Sequence, residues 1–259
     1  MENIILTVGS GEATSGNIWG RPLAHLVYRM GGGGGEGPHL FRANAPVAPR
    51  GGTMVIEDIR FSGGGEAEPF CGEVLRECAA RRFNGVACRF LGKPRPVLHQ
   101  ITARLGELCR GRGIALYVTE PYAGASGGKA LVSTAVSGGS LRGLLTEMIE
   151  TYGADRVALW VEPVAEDFLL PSPTGAGAPL TREELERRRE EQGSGVFFSP
   201  ELCAHYFTYM AGEKGHFVLF DDAVSIRKKL WLGRELELRT AFLPYREELT
   251  REVLREEER

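Results

Sequence analysis

The 259-residue sequence has little cysteine, no long apolar run, no excess of one charge and no glycine-rich phosphate loop. Each shortage excludes something. The five cysteines (Cys71, Cys78, Cys88, Cys109, Cys203) are odd in number and lack C-x-x-C spacing, so they read as buried reduced thiols rather than a disulfide or metal framework. No window approaches the roughly 18 apolar residues of a membrane-crossing helix. Residues 1–9 (MENIILTVG) put an acid, not a base, before a short apolar run. No secretory leader is expected, and the location is expected to be cytoplasmic. Lys+Arg of 31 against Asp+Glu of 34 gives a net charge of -3 with no basic half, which excludes the electrostatic footprint of nucleic-acid binding. The stretch GSGEATSG from Gly9 has the wrong spacing for either common nucleotide loop. His25, His39, His99, His205 and His216 show no metal-ligand spacing, and SGGS at residues 137–140 is no nucleophile elbow. Neither cofactor nor metal is expected.

What remains is 42% apolar and 25% charged, the mixture of a soluble globular chain. Glycine is abundant: 35 residues, where an average usage of about 7% would give roughly 18, so loops take a large share. Short β-branched runs alternate with amphipathic helical runs. Residues 53–60 (TMVIEDIR), 85–90 (GVACRF), 114–119 (IALYVT), 130–136 (ALVSTAV) and 156–161 (RVALWV) read as strands. Between them, residues 69–82 place Phe70, Val74, Leu75, Cys78 and Ala79 on one helical stripe. A second helix starts at Pro96 and stops at Gly111, and a third carries Leu141, Leu144, Leu145, Met148, Ile149 and Tyr152 before a Gly153 cap. Nearly continuous apolar strands are the pattern of a parallel sheet covered on both faces. Residues 4–8, 26–30 and 238–243 bring the strand total near eight. The expected fold is therefore α/β, a (β/α)8 TIM-barrel-like single domain over 1–259, irregular or incomplete at its N-terminal end.

Three segments depart from the pattern. Residues 1–52 are glycine-rich strands and loops, with a pentaglycine at 31–35 expected on the surface. Residues 171–198 read as a charged insertion: a Pro/Gly/Ser loop, then the helix TREELERRREEQ with Thr181 and Glu184 as a capping box. Residues 246–259 read as a charged C-terminal helix.

Residues 198–244 (FSPELCAHYFTYMAGEKGHFVLFDDAVSIRKKLWLGRELELRTAFLP) resemble the end of the glycoside hydrolase family 18 barrels, the chitinase-like proteins, and above all their spore-associated peptidoglycan-hydrolase branch. The matching residues are Phe220, Asp221, Asp222, Ser225 and Lys229, then a last barrel strand. Asp221 or Asp222 is placed to cap the following helix. The family's signature strand, D-G-x-D-x-D-x-E, falls on residues 84–91, where Gly85 fits and Phe83 fits just ahead of it. The four acidic positions are Asn84, Ala87, Arg89 and Leu91. The resemblance implies a final acid as proton donor and an earlier Asp that helps the substrate's N-acetyl group attack. Leucine has no proton to give, and arginine stays charged. The family's Tyr-Asp pair would fall near Val136 and Ser137, and its last-strand tryptophan near Pro244. The resemblance thus implies a degenerate, non-hydrolytic barrel that binds an N-acetylglucosamine-containing glycan or a spore-layer protein. Assembly onto the spore would then be from inside the cell.

Several carboxylates stand at the ends of expected strands, where a β/α barrel carries its site: Glu57, Asp58, Glu120, Glu162, and Asp221 with Asp222. Glu120 and Glu162 each sit between a strand and a proline, and form the pair to test for ordinary two-carboxylate hydrolysis. The plainer alternative makes them solvated or salt-bridged loop acids, with Arg89 as partner. Arg89 itself could hold Glu120 or Glu162, or grip an anionic small substrate. Tyr206, Phe207 and Tyr209 could stack on a sugar, though such a cluster more often belongs to a core.

Overall fold

The computed structural model describes residues 1–11, 17–32, 36–44, 48–59, 61–172, 175–192 and 195–255. Most of the pentaglycine, part of the GSGEATSG stretch and the last four residues lie outside the described residues. The chain opens with β1 (Asn3–Val8) and β2 (Asn17–Ile18), which pairs with the long β3 (Arg21–Gly31), and β4 (His39–Arg42) runs back along β3. An alternation follows: β5 (Thr53–Glu57), α1 (Ala67–Arg81), β6 (Gly85–Arg89), α2 (Pro96–Arg110), β7 (Ala115–Thr119), α3 (Ala123–Ser126), β8 (Lys129–Ser133), α4 (Leu141–Tyr152) and β9 (Val157–Trp160). Next come β10 (Ala165–Leu170), β11 (Ala178–Pro179), α5 (Arg182–Gln192), β12 (Phe197–Ser199), β13 (Ala204–Ala211) and β14 (Lys214–Phe220). The described chain ends with α6 (Ala223–Glu235), β15 (Thr240–Pro244) and α7 (Glu247–Leu254).

Eight strands, β1, β3, β5, β6, β7, β8, β9 and β15, neighbour one another in sequence order, and β15 pairs with β1 to close a parallel barrel. The fold is the (β/α)8-like barrel that the apolar strand runs implied. Its N-terminal end is irregular: among the described residues no helix separates β1 from β3 or β3 from β5. The alternation of side chains on each strand gives two apolar layers. Ile5, Ala24, Val55, Ala87, Tyr117, Leu131, Ala158, Trp160 and Phe242 fill the interior. Met54, Ile56, Val86, Cys88, Phe90 and Val118 pack outward with Phe70, Val74, Leu98, Ile101 and Leu105 of α1 and α2. Gly85 sits where a Cβ would lie 2.6 Å from Thr53 Oγ1, so only glycine lets β6 approach β5 there. All five cysteines are buried and unpaired, and burial pushes the Cys71 and Cys78 thiols up to about 12, which leaves them poor nucleophiles.

The chain divides into two compact units. The first, Met1–Val132 with Met148–Trp160 and Glu237–Tyr245, contains the barrel. The second, Ser133–Glu147 with Val161–Leu236 and Arg246–Arg259, is built on a five-stranded antiparallel sheet in the order β11-β10-β14-β13-β12. That sheet was not expected from the sequence. Residues 171–198 supply its edge strands β11 and β12 as well as the charged helix α5. Where helices were expected, α2 starts with Pro96 at its first turn, and α4 ends before Gly153, whose φ of 86° suits a residue without a side chain. The Thr181–Glu184 capping box of α5 closes with bonds of 2.8 and 3.2 Å.

Several boundaries differ from those the sequence implies; β5 stops at Glu57 rather than at 60 and β3 starts at Arg21 rather than at 26. The sixth barrel strand ends at Ser133 rather than at 136, because the Ser133 hydroxyl accepts the Ala135 amide at 3.1 Å and turns the chain off the sheet. Val136 and Ser137 therefore lie beyond the strand end. The last barrel strand starts at Thr240 rather than at 238. No helix among the described residues is long and apolar enough to cross a membrane.

Candidate ligand site at the barrel mouth

The signature segment occupies β6, the fourth strand of the barrel in chain order. Its inward positions are Gly85, Ala87 and Arg89, since Val86 and Cys88 belong to the outer layer. Ala87 is fully buried in the interior. Arg89, at the strand's C-terminal end, donates from a terminal nitrogen to Glu57 Oε1 at 2.7 Å. Glu57 is the residue directly beside it on β5. The pair is mostly covered, with side chains 13% and 14% exposed. Arg89 also lies over the indole of Trp160, its guanidinium carbon 5.1 Å from the ring centre. Guanidinium groups favour such aromatic faces.

Below the guanidinium the interior is aromatic. Trp160 of β9 stacks on Phe242 of β15 with centroids 5.4 Å apart, and Tyr117 of β7 meets Phe242 edge-on at 4.9 Å. Burial raises the Tyr117 pKa, and its bond to Thr240 works against that rise. The tryptophan that the resemblance puts near Pro244 is absent from that position. The neighbouring strand supplies Trp160 instead, so the mouth does contain an indole, although Arg89 covers it. Sequence reasoning missed it because RVALWV gave the strand but not the face on which the indole lies.

Asp58, one residue past β5, is buried and accepts the backbone amides of Leu91 at 2.8 Å and Gly92 at 3.1 Å. It therefore clamps the loop after β6, and Gly92 fits because a Cβ there would lie 2.7 Å from the carboxylate. Leu91, which the resemblance sets at the proton donor's position, is 59% exposed. Thr119, at the end of β7, donates its hydroxyl to the Phe90 carbonyl at 2.9 Å. These bonds fix the β6 loop from both neighbouring strands.

The remaining candidates have other partners. Glu120 is exposed, opens a one-turn 3-10 helix, and its Oε1 lies 3.3 Å from the Tyr152 hydroxyl. Burial, then the Glu120 charge, raises the Tyr152 pKa. Glu162, two residues after β9, accepts the Ser133 hydroxyl at 2.9 Å, and its amide donates to Thr134. Asp221 and Asp222 follow β14, a strand of the antiparallel sheet and not of the barrel. Asp222 makes the helix cap, accepting the Ser225 amide while Ser225 Oγ accepts the Asp222 amide. Asp221 accepts Lys229 Nζ at 2.5 Å, Ser225 Oγ at 2.7 Å and the Val164 amide at 2.9 Å. These three donors tie Asp221 to the start of α6 and to the chain before β10. Of the three aromatics singled out in the sequence, Phe207 is buried, while Tyr206 and Tyr209 are partly covered. His216 and the Tyr209 hydroxyl both bind Asp167. Among the described residues no group of three or more His, Cys, Asp or Glu is placed to hold a metal ion.

The chain matches no protein-family model and no curated protein. Its fold is similar to that of several solved structures. A chitinase from Chromobacterium violaceum superposes with a TM-score of 0.66 at 12% identity, over 98% of this chain and 98% of that one. The spore cortex-lytic enzyme SleL of Bacillus cereus gives 0.65 at 13% identity, over 95% of this chain and 71% of that one. SleL of Bacillus megaterium gives 0.63 at 13% identity, over 93% and 70%. The likeness is one of fold: the barrel is of the kind that chitinases and cortex-lytic enzymes share.

Proposed function

We propose that this protein is a non-hydrolytic relative of the family 18 glycosidases that holds an N-acetylglucosamine-containing glycan without cutting it. One observation carries the reading: at the end of β6, where an acid is expected, Arg89 is locked to Glu57 across Trp160. Three consequences follow from its chemistry. Leu91 cannot protonate a leaving oxygen. Ala87 cannot hydrogen-bond an N-acetyl group. A permanent cation at the strand end opposes the positive charge of an oxocarbenium-like transition state. The chitinase and cortex-lytic neighbours support a glycan as ligand, and the two SleL structures support a spore-layer setting.

The test pairs turnover with binding. Chromogenic chitobioside and purified peptidoglycan are expected to remain uncut, while chitotriose raises the melting temperature saturably. Turnover abolished by Glu120→Gln or Glu162→Gln would overturn the reading in favour of an active two-carboxylate hydrolase. No glycan response, combined with anion binding lost in Arg89→Met, would favour a small anionic substrate instead. An anion there has to displace Glu57.

A further inference from the structure

A groove of about 450 Å³ lies on the outside of the barrel unit, between β4 and α1. The buried Tyr28 of β3 lies at it and donates its hydroxyl to Glu77 Oε1 at 2.9 Å. The same oxygen takes Arg81 Nε at 3.2 Å and lies 3.5 Å from an Arg42 terminal nitrogen. One carboxylate oxygen is thus shared by a phenol and two guanidinium groups. Each guanidinium carries more donors than this oxygen can accept. Glu73, the other acid lining the groove, is occupied elsewhere: it accepts the Leu40 amide at 2.7 Å and lies 3.1 Å from His39. Arg76, one helical turn before Ala80, also lines the groove and has no acidic partner among the described residues.

We infer that this groove is a binding site for an oxyanion, a carboxylate or phosphate, gripped by Arg42, Arg76 and Arg81. The balance of groups favours this ligand. Three guanidinium groups face two acids, of which Glu77 is shared by two of them and Glu73 is engaged by Leu40 and His39, and guanidinium forks match the oxygens of carboxylate and phosphate. Glu77 acts as the internal competitor that keeps Arg42 and Arg81 in place when the groove is empty. The site is independent of the glycan reading, because none of its residues belongs to the barrel mouth.

Isothermal titration at constant ionic strength tests it, with inorganic phosphate and a tetraglutamate peptide as probes and a tetraglutamine peptide as control. Saturable binding of either acidic probe, but not of the control, is expected. Phosphate binding identifies a free oxyanion as sufficient, and binding of the peptide alone identifies an acidic chain. Arg76→Ala, at an exposed helix position, is expected to weaken the dissociation constant about tenfold, the loss of one charge-assisted bond. Glu77→Gln is expected to tighten it, because the competitor is gone while the amide oxygen still accepts Tyr28. Failure of both acidic probes to bind, or identical titrations of wild type and Arg76→Ala, would overturn the inference. Chitotriose binding should be unaffected by Arg76→Ala, which separates this outcome from the fate of the glycan reading.

Discussion

The two units of the chain place charge in opposite ways. The barrel keeps its interior apolar and aromatic and confines charge to the ends of its strands, where Arg89, Glu57 and Asp58 stand. The antiparallel unit takes ionised groups into its core. Lys229 and Asp221 are 1% and 0% exposed as side chains, and Asp167 is nearly enclosed among His216, Tyr209 and Arg188. A parallel barrel satisfies its backbone within the sheet and fills its centre with layers of side chains, so a buried charge there has few amides to meet. At the start of α6 the situation differs. The free Val164 amide, the Ser225 hydroxyl and the lysine give every oxygen of Asp221 a donor. Charge in the second unit is therefore held inside its core, whereas charge in the first gathers at the strand ends around the Arg89–Glu57 pair.

The largest test of this contrast removes one partner from the second unit's core. Lys229→Met leaves Asp221 buried without its cation and should cost about 3–5 kcal/mol of stability by denaturant midpoint. Asp221→Asn with Lys229→Met together should recover much of that loss, since an uncharged pair has no unmet ion. If Lys229→Met costs less than 1 kcal/mol, the pair is not what anchors α6.

A smaller effect is expected at the barrel mouth. Arg89→Met deprives Glu57 of its cation, but the pair sits at the rim and keeps some solvent, so the cost should be about 2 kcal/mol. The indole of Trp160 loses the guanidinium that covers it, so in a chain whose exposed Trp19 and Trp231 are replaced by phenylalanine, iodide should quench the Arg89→Met variant more than the chain that keeps Arg89. An unaltered quenching profile would show that Arg89 does not shield the ring.

The contrast also explains what the sequence could reveal. Barrel strands such as GVACRF and RVALWV are short apolar runs bounded by turn signals, and the helices between them carry clear stripes and caps. Those patterns are local, and they made the fold legible. The antiparallel sheet was not legible, because AHYFTYMA carries aromatic residues on both faces and so hides the period of two. The site was legible only as positions. Arg89 stands out as a cation where the resemblance sets an acid, yet its bond to Glu57 depends on the pairing of β5 with β6, which joins residues 32 apart in sequence. Trp160 escaped for the same reason, since facing inward is a property of the closed sheet and not of the strand's composition.

A subtler difference should appear with pH. His25 of β3 is fully buried, and Phe83 packs against its ring. Burial lowers its pKa below 6.5, and the Gly51 backbone opposes that shift only in part. The unfolded chain then takes up a proton near 6.5 while the folded barrel does not, so this contribution to stability is complete above pH 6.5 and declines as pH falls below it. His25→Leu should flatten the fall in melting temperature between pH 6.5 and 5. Parallel curves for variant and wild type would remove His25 as the cause.

The smallest expected effect is the most informative about the mouth. Leu91→Glu puts a carboxyl group at the position that the resemblance gives to the proton donor. Because the side chain is 59% exposed and the backbone amide stays on Asp58, stability should change by less than about 0.5 kcal/mol. Chitobioside should nevertheless remain uncut. A proton donor is one part of a mechanism that also needs a group to steady the N-acetyl arm, and on the proposed reading Ala87 and Arg89 hold the positions where such a group would stand. Adding Ala87→Asp and Arg89→Asp to the same chain tests whether the rest of the mouth kept its geometry. Turnover in the triple variant alone would mean that the acids were what the barrel lost, whereas turnover from Leu91→Glu by itself would show that Arg89 never stood in the way.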